Sequence, residues 1–308
     1  MSDTQVWGLT TFQLPGTTQD HAGIQLASGE IRQPELLKPF RGLIEAVAQW
    51  TELAPQLQSL DITAAPVVSG AIAVAPLRFP RKLICAGANY HDHLAEMGAP
   101  DVPPGCEPFF FFLPPTTTLV ASGDVVEIPA GADARVDWEA EMAIIIGRSA
   151  SNISEEEAPL YVAGYAPFND ITARGYHKRA ASIAPPFAFD WCLSKGLDGF
   201  CPMGPIVPSW QISDPHDVGV RCTVNGEVKQ DGRTQDMIFN LWKLLSYASK
   251  HWTLEPGDII ATGTPAGVGA RTGTFLRDGD EVIVDLKGWS SVKSTIRCRS
   301  SIAEPKVA

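Results

Sequence analysis

The sequence predicts a mainly β fold of α+β type, a sandwich or roll preceded by a small N-terminal module. Three observations predict it. Short apolar runs recur between Gly, Pro and Asp positions: Lys82–Ala86, Val125–Ile128, Ala143–Ile146, Gly204–Val207, Val218–Val224, Asp258–Ala261 and Glu281–Asp285. Turn chemistry separates them. Asn225-Gly226 between two apolar runs is a two-residue hairpin signal, and Leu254–Asp258 and Arg277–Asp280 are further turns. Helical periodicity is sparse, so a repeating βαβ fold is not expected.

Residues 1–75 are expected to form the N-terminal module, and 76–308 the main domain. Trp7–Phe12 and Ala22–Leu26 alternate like strands. From Pro34 to Leu60, residues Leu37, Phe40, Leu43, Ile44, Val47 and Trp50 fall at helical spacing. Ala64 to Pro80, rich in Ala, Val and Pro, reads as a linker. One helix stands out later, Asp236–Lys250, with Met237, Leu241, Leu244 and Leu245 on one face.

Hydrophobic residues make up 44% and charged residues 19%, which is a core-forming composition rather than a disordered one. The net charge of −11 argues against nucleic acid and anionic membrane surfaces as partners. It does not exclude small anionic substrates, because a bound cation or an Arg reverses the field inside a cleft. No apolar run is long enough to span a bilayer, and Met1–Gln5 shows no basic leader region, so a cytoplasmic protein is expected. The six cysteines are scattered without a CxxC pair and read as reduced, mostly buried thiols. Neither zinc nor an iron–sulfur cluster has a ligand pattern here.

Val136–Gly147 carries the first candidate chemistry. Read as a strand, it projects Glu139 and Glu141 from one face, with Ala140 opposite. Two neighbouring carboxylates repel, and a hard divalent cation relieves that by taking oxygens from both. Asp170 is the candidate third ligand. The alternative is a solvated face, or ion pairs with Arg135 and Arg148.

Four more stretches contribute. In Asn89–Gly98, a short helix would put His93 and Glu96 at i and i+3, where a carboxylate orients an imidazole as general base; His91 would point away. Arg174 could clamp a substrate carboxylate, or simply pair with Asp170 four residues earlier. Lys195 lies between apolar residues and could stabilise developing negative charge, although alone it would read as solvated. The glycine-rich run after Ile259–Ala261 offers backbone N–H groups, with Thr264, for a carboxylate. It matches neither a P-loop nor a dinucleotide fingerprint.

Together these motifs resemble the fumarylacetoacetate hydrolase family, over roughly residues 80–298. The carriers are Gly87-Ala88-Asn89-Tyr90 through His93 and Glu96, Glu139-x-Glu141, Asn169-Asp170-x-Thr172-Ala173-Arg174, Lys195-Gly196-Leu197-Asp198, Asn225-Gly226-Glu227 and Thr262–Gly269. The resemblance implies a mixed β-sandwich roll, a homodimer, and Mg²⁺ (or Mn²⁺ or Ca²⁺) on Glu139, Glu141 and Asp170. It implies that His93 with Glu96 activates water or moves a proton, and that Lys195 stabilises an enolate. Arg174, His177, Gly263 and Thr264 would lie by a keto-acid substrate. The implied activity is hydrolysis of a C–C bond in a β-diketo acid or acylpyruvate, in aromatic or related carbon-compound catabolism. Decarboxylation of a 2-oxo acid or isomerisation of a 2-hydroxydienoate is the runner-up. A non-catalytic metal-binding scaffold would need a broken carboxylate or His/Glu set, and both sets are intact. The chain departs from the family pattern at Leu113 (commonly Lys) and His177 (commonly Gln), in the run Phe109–Phe112, and in an apparent insertion, Ala184–Phe189. These changes point to a larger or more apolar acyl arm, although core packing is the expected use of most of the phenylalanines.

Overall fold

The computed structural model describes residues 6–99 and 102–299; the Met1–Gln5 start lies outside them. In the N-terminal part, β1 (Trp7–Gln13) pairs antiparallel with β2 (His21–Leu26), and β2 with β3 (Ile31–Arg32). The apolar periodicity from Pro34 to Leu60 does not make one helix. Gly42 at φ +81° and Gln49 at φ −111°, ψ 28° interrupt it, leaving α1 (Leu43–Ala48) and α2 (Trp50–Gln58). The expected linker also needs correction, because Ile72–Val74 forms β4 on the free edge of β1. An edge strand of three residues is too short to leave a periodic trace.

The chain continues through β5 (Leu83–Gly87), α3 (His91–Glu96), β6 (Phe109–Leu113), β7 (Leu119–Val120), β8 (Val125–Ile128), β9 (Val136–Asp137) and β10 (Ala140–Ile146). Then come β11 (Val162–Asn169), β12 (Thr172–Ala173), α4 (Arg174–His177), α5 (Trp191–Lys195), β13 (Cys201–Pro202), β14 (Val207–Pro208), β15 (Gly219–Val224) and β16 (Glu227–Arg233). Last are α6 (Leu241–His251), β17 (Ile259–Ala261), α7 (Gly269–Thr272), β18 (Glu281–Leu286) and β19 (Ser290–Cys298). The mixture is strand-dominated α+β, as the sequence predicts. Asn225 and Gly226 take φ +52° and +80° between β15 and β16, the geometry a two-residue hairpin turn requires. Helix α6 starts five residues later than its periodicity suggests. The Asn240 side chain accepts from Lys243 N–H and caps the helix there, while Thr234–Asp236 is a separate single turn.

Two large sheets result, ordered β14-β11-β10-β17-β5-β6 and β16-β15-β18-β19-β8. The six-stranded sheet is the middle layer. On one face, Ala143, Ile145, Leu83, Cys85, Ile259 and Ala261 pack with Leu9, Ile24, Leu43 and Trp50 of the N-terminal part. On the other, Met142, Ile144, Ile146, Ile84 and Ile260 pack with Val220, Val284, Val292 and Leu245. Because both faces of β10 are covered, it reads as a continuous apolar run. Replacing a fully buried Ile such as Ile144 by Ala should cost about 2–5 kcal/mol.

All six cysteines are free. Cys85, Cys201 and Cys222 are buried, but Cys106 and Cys192 are exposed and Cys298 is half-buried, so burial holds for half of them. Among the described residues, no helix is long and apolar enough to cross a membrane.

Candidate active site

The site lies where β10 begins. Strand pairing breaks at Trp138-Glu139, between β9 and β10, so Glu139 stands just outside the strand and Glu141 within it. Glu139 N–H donates to Asn169 Oδ1 at 3.0 Å, and Asp170 N–H donates to Glu139 O at 2.9 Å. The pairing of β10 with β11 thus brings Asp170 to the two glutamates. Glu139, Glu141 and Asp170 are all buried, and each offers a carboxylate oxygen within 4.8 Å of the others.

Ala140, between the glutamates, is held by side chains. Its N–H donates to Gln230 Oε1 at 2.8 Å, and its carbonyl accepts from Thr264 Oγ1 at 2.8 Å. Gln230 Nε2 in turn donates to Thr264 Oγ1 and Pro265 O. Thr264, expected beside the substrate, therefore has its hydroxyl committed to the backbone of the glutamate pair. Gly263 N–H donates to Glu141 Oε2 at 2.8 Å. Only glycine suits that position, since φ is +95° and a Cβ would come 2.8 Å from Asn89 Cβ.

The rest of the glycine-rich run also binds carboxylates, but the protein's own. Gly267 N–H donates to Glu96, and Gly269 and Ala270 N–H both donate to Asp137. Asp137, which sequence reasoning missed, is buried and also accepts Arg174 Nε at 3.0 Å. Arg174 does not pair with Asp170; its Nη2 donates to Glu139 Oε1 at 2.6 Å. Of its five N–H donors these contacts use two, and Nη1 makes no hydrogen bond among the described residues.

Lys195 is buried rather than solvated, and its ammonium is saturated. Its three donors go to Glu139 Oε2 (2.7 Å), Asp170 Oδ2 (2.8 Å) and Thr172 Oγ1 (2.8 Å). Its hydrogen bonds orient the carboxylates, and no N–H is left over for a further acceptor.

On α3, His93 and Glu96 meet as the i, i+3 spacing predicts, with Nδ1 2.7 Å from Oε1. Nε2 is left as the free ring nitrogen. His91 is exposed on the other side of the helix.

Burial pushes each carboxyl group up, and its neighbours decide the outcome. For Glu139, Lys195 and Arg174 outweigh burial and hold it down at about 2. Burial lifts Glu141 well above its usual range, reinforced by the Asp170 and Glu139 charges. Burial carries Asp170 up to about 6 despite Lys195. For Glu96, His93 and the Gly267 N–H outweigh burial and lower it.

With all three carboxylates ionised, as a bound cation requires, Lys195 and Arg174 leave one negative charge, and ionised Asp137 adds a second. Asp170 Oδ1 is buried and has no hydrogen-bond partner among the described residues. An all-oxygen donor set, an excess of two negative charges and an orphaned oxygen fit a hard divalent cation on Glu139, Glu141 and Asp170.

A cavity of about 80 Å³ opens beside these groups, lined among others by His93, Arg174, Lys195, Phe111, Trp191 and Gly263. His177 does not line it; its ring stands edge-on to Trp191, 4.2 Å between centroids. Asp137 and Gln230 had no local signal, because apart from Trp138 N–H on Asp137 their partners lie between 34 and 133 residues away.

A family model described as fumarylacetoacetate (FAA) hydrolase C-terminal matches residues 82–297. The human mitochondrial oxaloacetate tautomerase FAHD2A is 33% identical over 288 residues, covering 91% of this chain and 88% of that one. The oxaloacetate tautomerase YisK of Bacillus subtilis is 42% identical over 217 residues, 69% of this chain and 68% of its own. Among solved structures, a fumarylacetoacetate hydrolase from Exiguobacterium antarcticum superposes with TM-score 0.78 at 32% identity, over 95% of this chain and all of that one. Maleylpyruvate hydrolase from Sphingobium sp. SYK-6, solved with manganese(II) and pyruvate, gives TM-score 0.74 at 25% identity, again over 95% and 100%.

Proposed function

The chain belongs to the fumarylacetoacetate hydrolase family, and from that premise we propose that it is a divalent-cation-dependent enzyme moving a proton at C3 of a 2-oxo acid, interconverting enol and keto forms. The observation that carries this reading is the pairing of His93 with Glu96 across a small cavity from Glu139, Glu141 and Asp170. The relatives named as oxaloacetate tautomerases support it over C–C hydrolysis as the first choice.

A divalent cation held by Glu139, Glu141 and Asp170 would act as a Lewis acid on the substrate's keto and carboxylate oxygens. The Arg174 donors left over from Asp137 and Glu139 bind the substrate carboxylate. His93 Nε2 removes the C3 proton; the C–H electron pair becomes the C2–C3 double bond, and the keto oxygen takes up negative charge. Glu96 fixes the His93 ring through Nδ1 and stabilises the imidazolium formed. Lys195, with its charge beside the carboxylates, offsets negative charge in the pocket. Returning the proton to oxygen gives the enol, and the reverse gives the keto form.

The same dyad can activate water instead, and the fumarylacetoacetate hydrolase neighbour supports that second reading, cleavage of an acylpyruvate. One experiment separates them. Purified enzyme with Mg²⁺ is given enol oxaloacetate, followed by loss of enol absorbance, and an acylpyruvate, followed by pyruvate release. Fast enol decay without pyruvate release supports proton transfer. Pyruvate release as the faster process makes hydrolysis the function, and activity in neither assay excludes acylpyruvate cleavage and oxaloacetate tautomerisation alike.

A further inference from the structure

A row of aromatic rings runs outward from the cavity. Phe111 and Trp191, which line it, stack at 5.3 Å with 22° between planes. Phe109 tilts against Trp191 at 5.9 Å. His177 stands edge-on to Trp191, and Phe189 lies 5.3 Å beyond His177. Phe109 and Phe189 are each about half exposed, at 52% and 54%. Phe111 also packs against the core, but core packing does not account for Phe109 and Phe189. Strand alternation sends Phe110 and Phe112 the other way, onto Tyr247 and Trp252, so β6 divides its phenylalanines between two surfaces.

Charge is distributed to match. Arg174 and Lys195 are the cations of the cavity, and both face the carboxylates. Along the row, Arg179 is paired with Asp190, and Lys178 stands at the outer end, 5.8 Å from the Phe189 ring. Lys195 Nζ stands 5.9 Å from the Phe111 ring, so the cavity end of the row holds a cation, but one already committed to Glu139 and Asp170. The cavity is bounded by Phe111 and Trp191, so a substituent extending past them would lie along the rings.

We propose that the preferred substrates are 2-oxo acids bearing a flat apolar ring on C3, the ring seated against Trp191 and Phe111 with Phe189 at its outer edge. This rests on the proton-transfer reading. The row is continuous with the cavity through Phe111 and Trp191, and its planar, π-rich surface suits an aromatic ring better than a carboxylate.

The test is exchange of the C3 proton in D₂O with Mg²⁺, using phenylpyruvate, 2-oxobutanoate and oxaloacetate, each corrected for exchange without enzyme. The proposal expects kcat/KM for phenylpyruvate to exceed that for 2-oxobutanoate by at least about tenfold. Trp191→Leu and Phe189→Ala should each lower that ratio by about threefold or more; Phe189 is exposed enough that its variant should fold, and melts would confirm this. Oxaloacetate preferred over phenylpyruvate, or a ratio that neither variant moves, would overturn the proposal while leaving proton transfer intact. A Phe189→Ala change in sedimentation mass without a change in ratio would make the row a contact between copies, and the proposal would fail. No exchange with any of the three acids would refute the proton-transfer reading itself.

Discussion

Strand β17 has a buried acid at each end, and the two are built differently. Before it, Asp258 is fully buried with both oxygens used: Oδ1 accepts Lys82 N–H at 2.9 Å, and Oδ2 accepts Glu255 N–H at 2.7 Å and Lys82 Nζ at 2.8 Å. Lys82 and Arg81 balance Asp258 and Glu255 in charge. After it, Gly263 and Thr264 enter a cluster with two uncompensated negative charges and an orphaned Asp170 oxygen. A satisfied buried acid holds chain segments together. A buried acid left short of both charge and hydrogen bonds marks a place for a cation.

The comparison can be broken most severely by removing the cation. Chelation should reduce activity below detection, and Mg²⁺ or Mn²⁺ should restore it, with zinc a poorer replacement. Asp170→Asn should behave like permanent chelation. Asp258→Asn should leave turnover per folded molecule at wild-type level and instead lower stability by about 1–3 kcal/mol, read by denaturant titration.

Next in size is the base. His93→Asn keeps volume and polarity but removes the proton acceptor, so kcat at saturating metal should fall about 10²–10⁴-fold. His91, exposed on the far side of α3, should tolerate the same change, with melts confirming that both variants fold. A loss at His91 with near-native turnover at His93 would move the base.

Gln230→Leu sharpens the contrast from outside the cluster. It frees Ala140 N–H and loosens Thr264, so cation affinity should fall about 10–100-fold by titration calorimetry while the fold survives. Unchanged affinity would show that the strand alone sets the spacing of Glu139 and Glu141.

The smallest effect is in pH. Asp170 is raised from 3.8 to about 6, chiefly by burial, so the folded protein binds that proton more tightly than the unfolded chain. Its stabilisation is complete below 3.8 and is lost as pH rises through about 6. Compared with Asp170→Asn, which carries the other shifted groups Glu141, His177 and His216 unchanged, metal-free wild-type protein should therefore gain about 2 °C in melting temperature from pH 7 to pH 5, and saturating Mg²⁺ should reverse that difference, since the cation needs the ionised carboxylate. Acids held low, such as Glu255 and Glu96, are lost only at lower pH and do not interfere in this window.

What the sequence made legible was local. Period two placed Glu139 beside Glu141, and i, i+3 spacing joined His93 to Glu96. Asn225-Gly226 announced its hairpin through a backbone geometry few other residue pairs accept. What it hid was long-range or non-periodic. Four consecutive phenylalanines carry no alternation, so nothing said that Phe109 and Phe111 would face Trp191 and the other two Trp252. Asp137 and Gln230 act on partners brought near only by sheet pairing. Arg174 looked like a helical partner of Asp170, yet Asp170 lies before β12 and outside any helix, so i, i+4 geometry never applied.

Manganese binding tests the central claim most directly. Calorimetric titration of Mn²⁺ into wild-type protein, Asp170→Asn and Asp258→Asn should show one site per chain in the wild type and in Asp258→Asn, and none in Asp170→Asn. Binding of equal strength by Asp170→Asn, or its loss in Asp258→Asn alone, would contradict the assignment of the unbalanced cluster as the cation site.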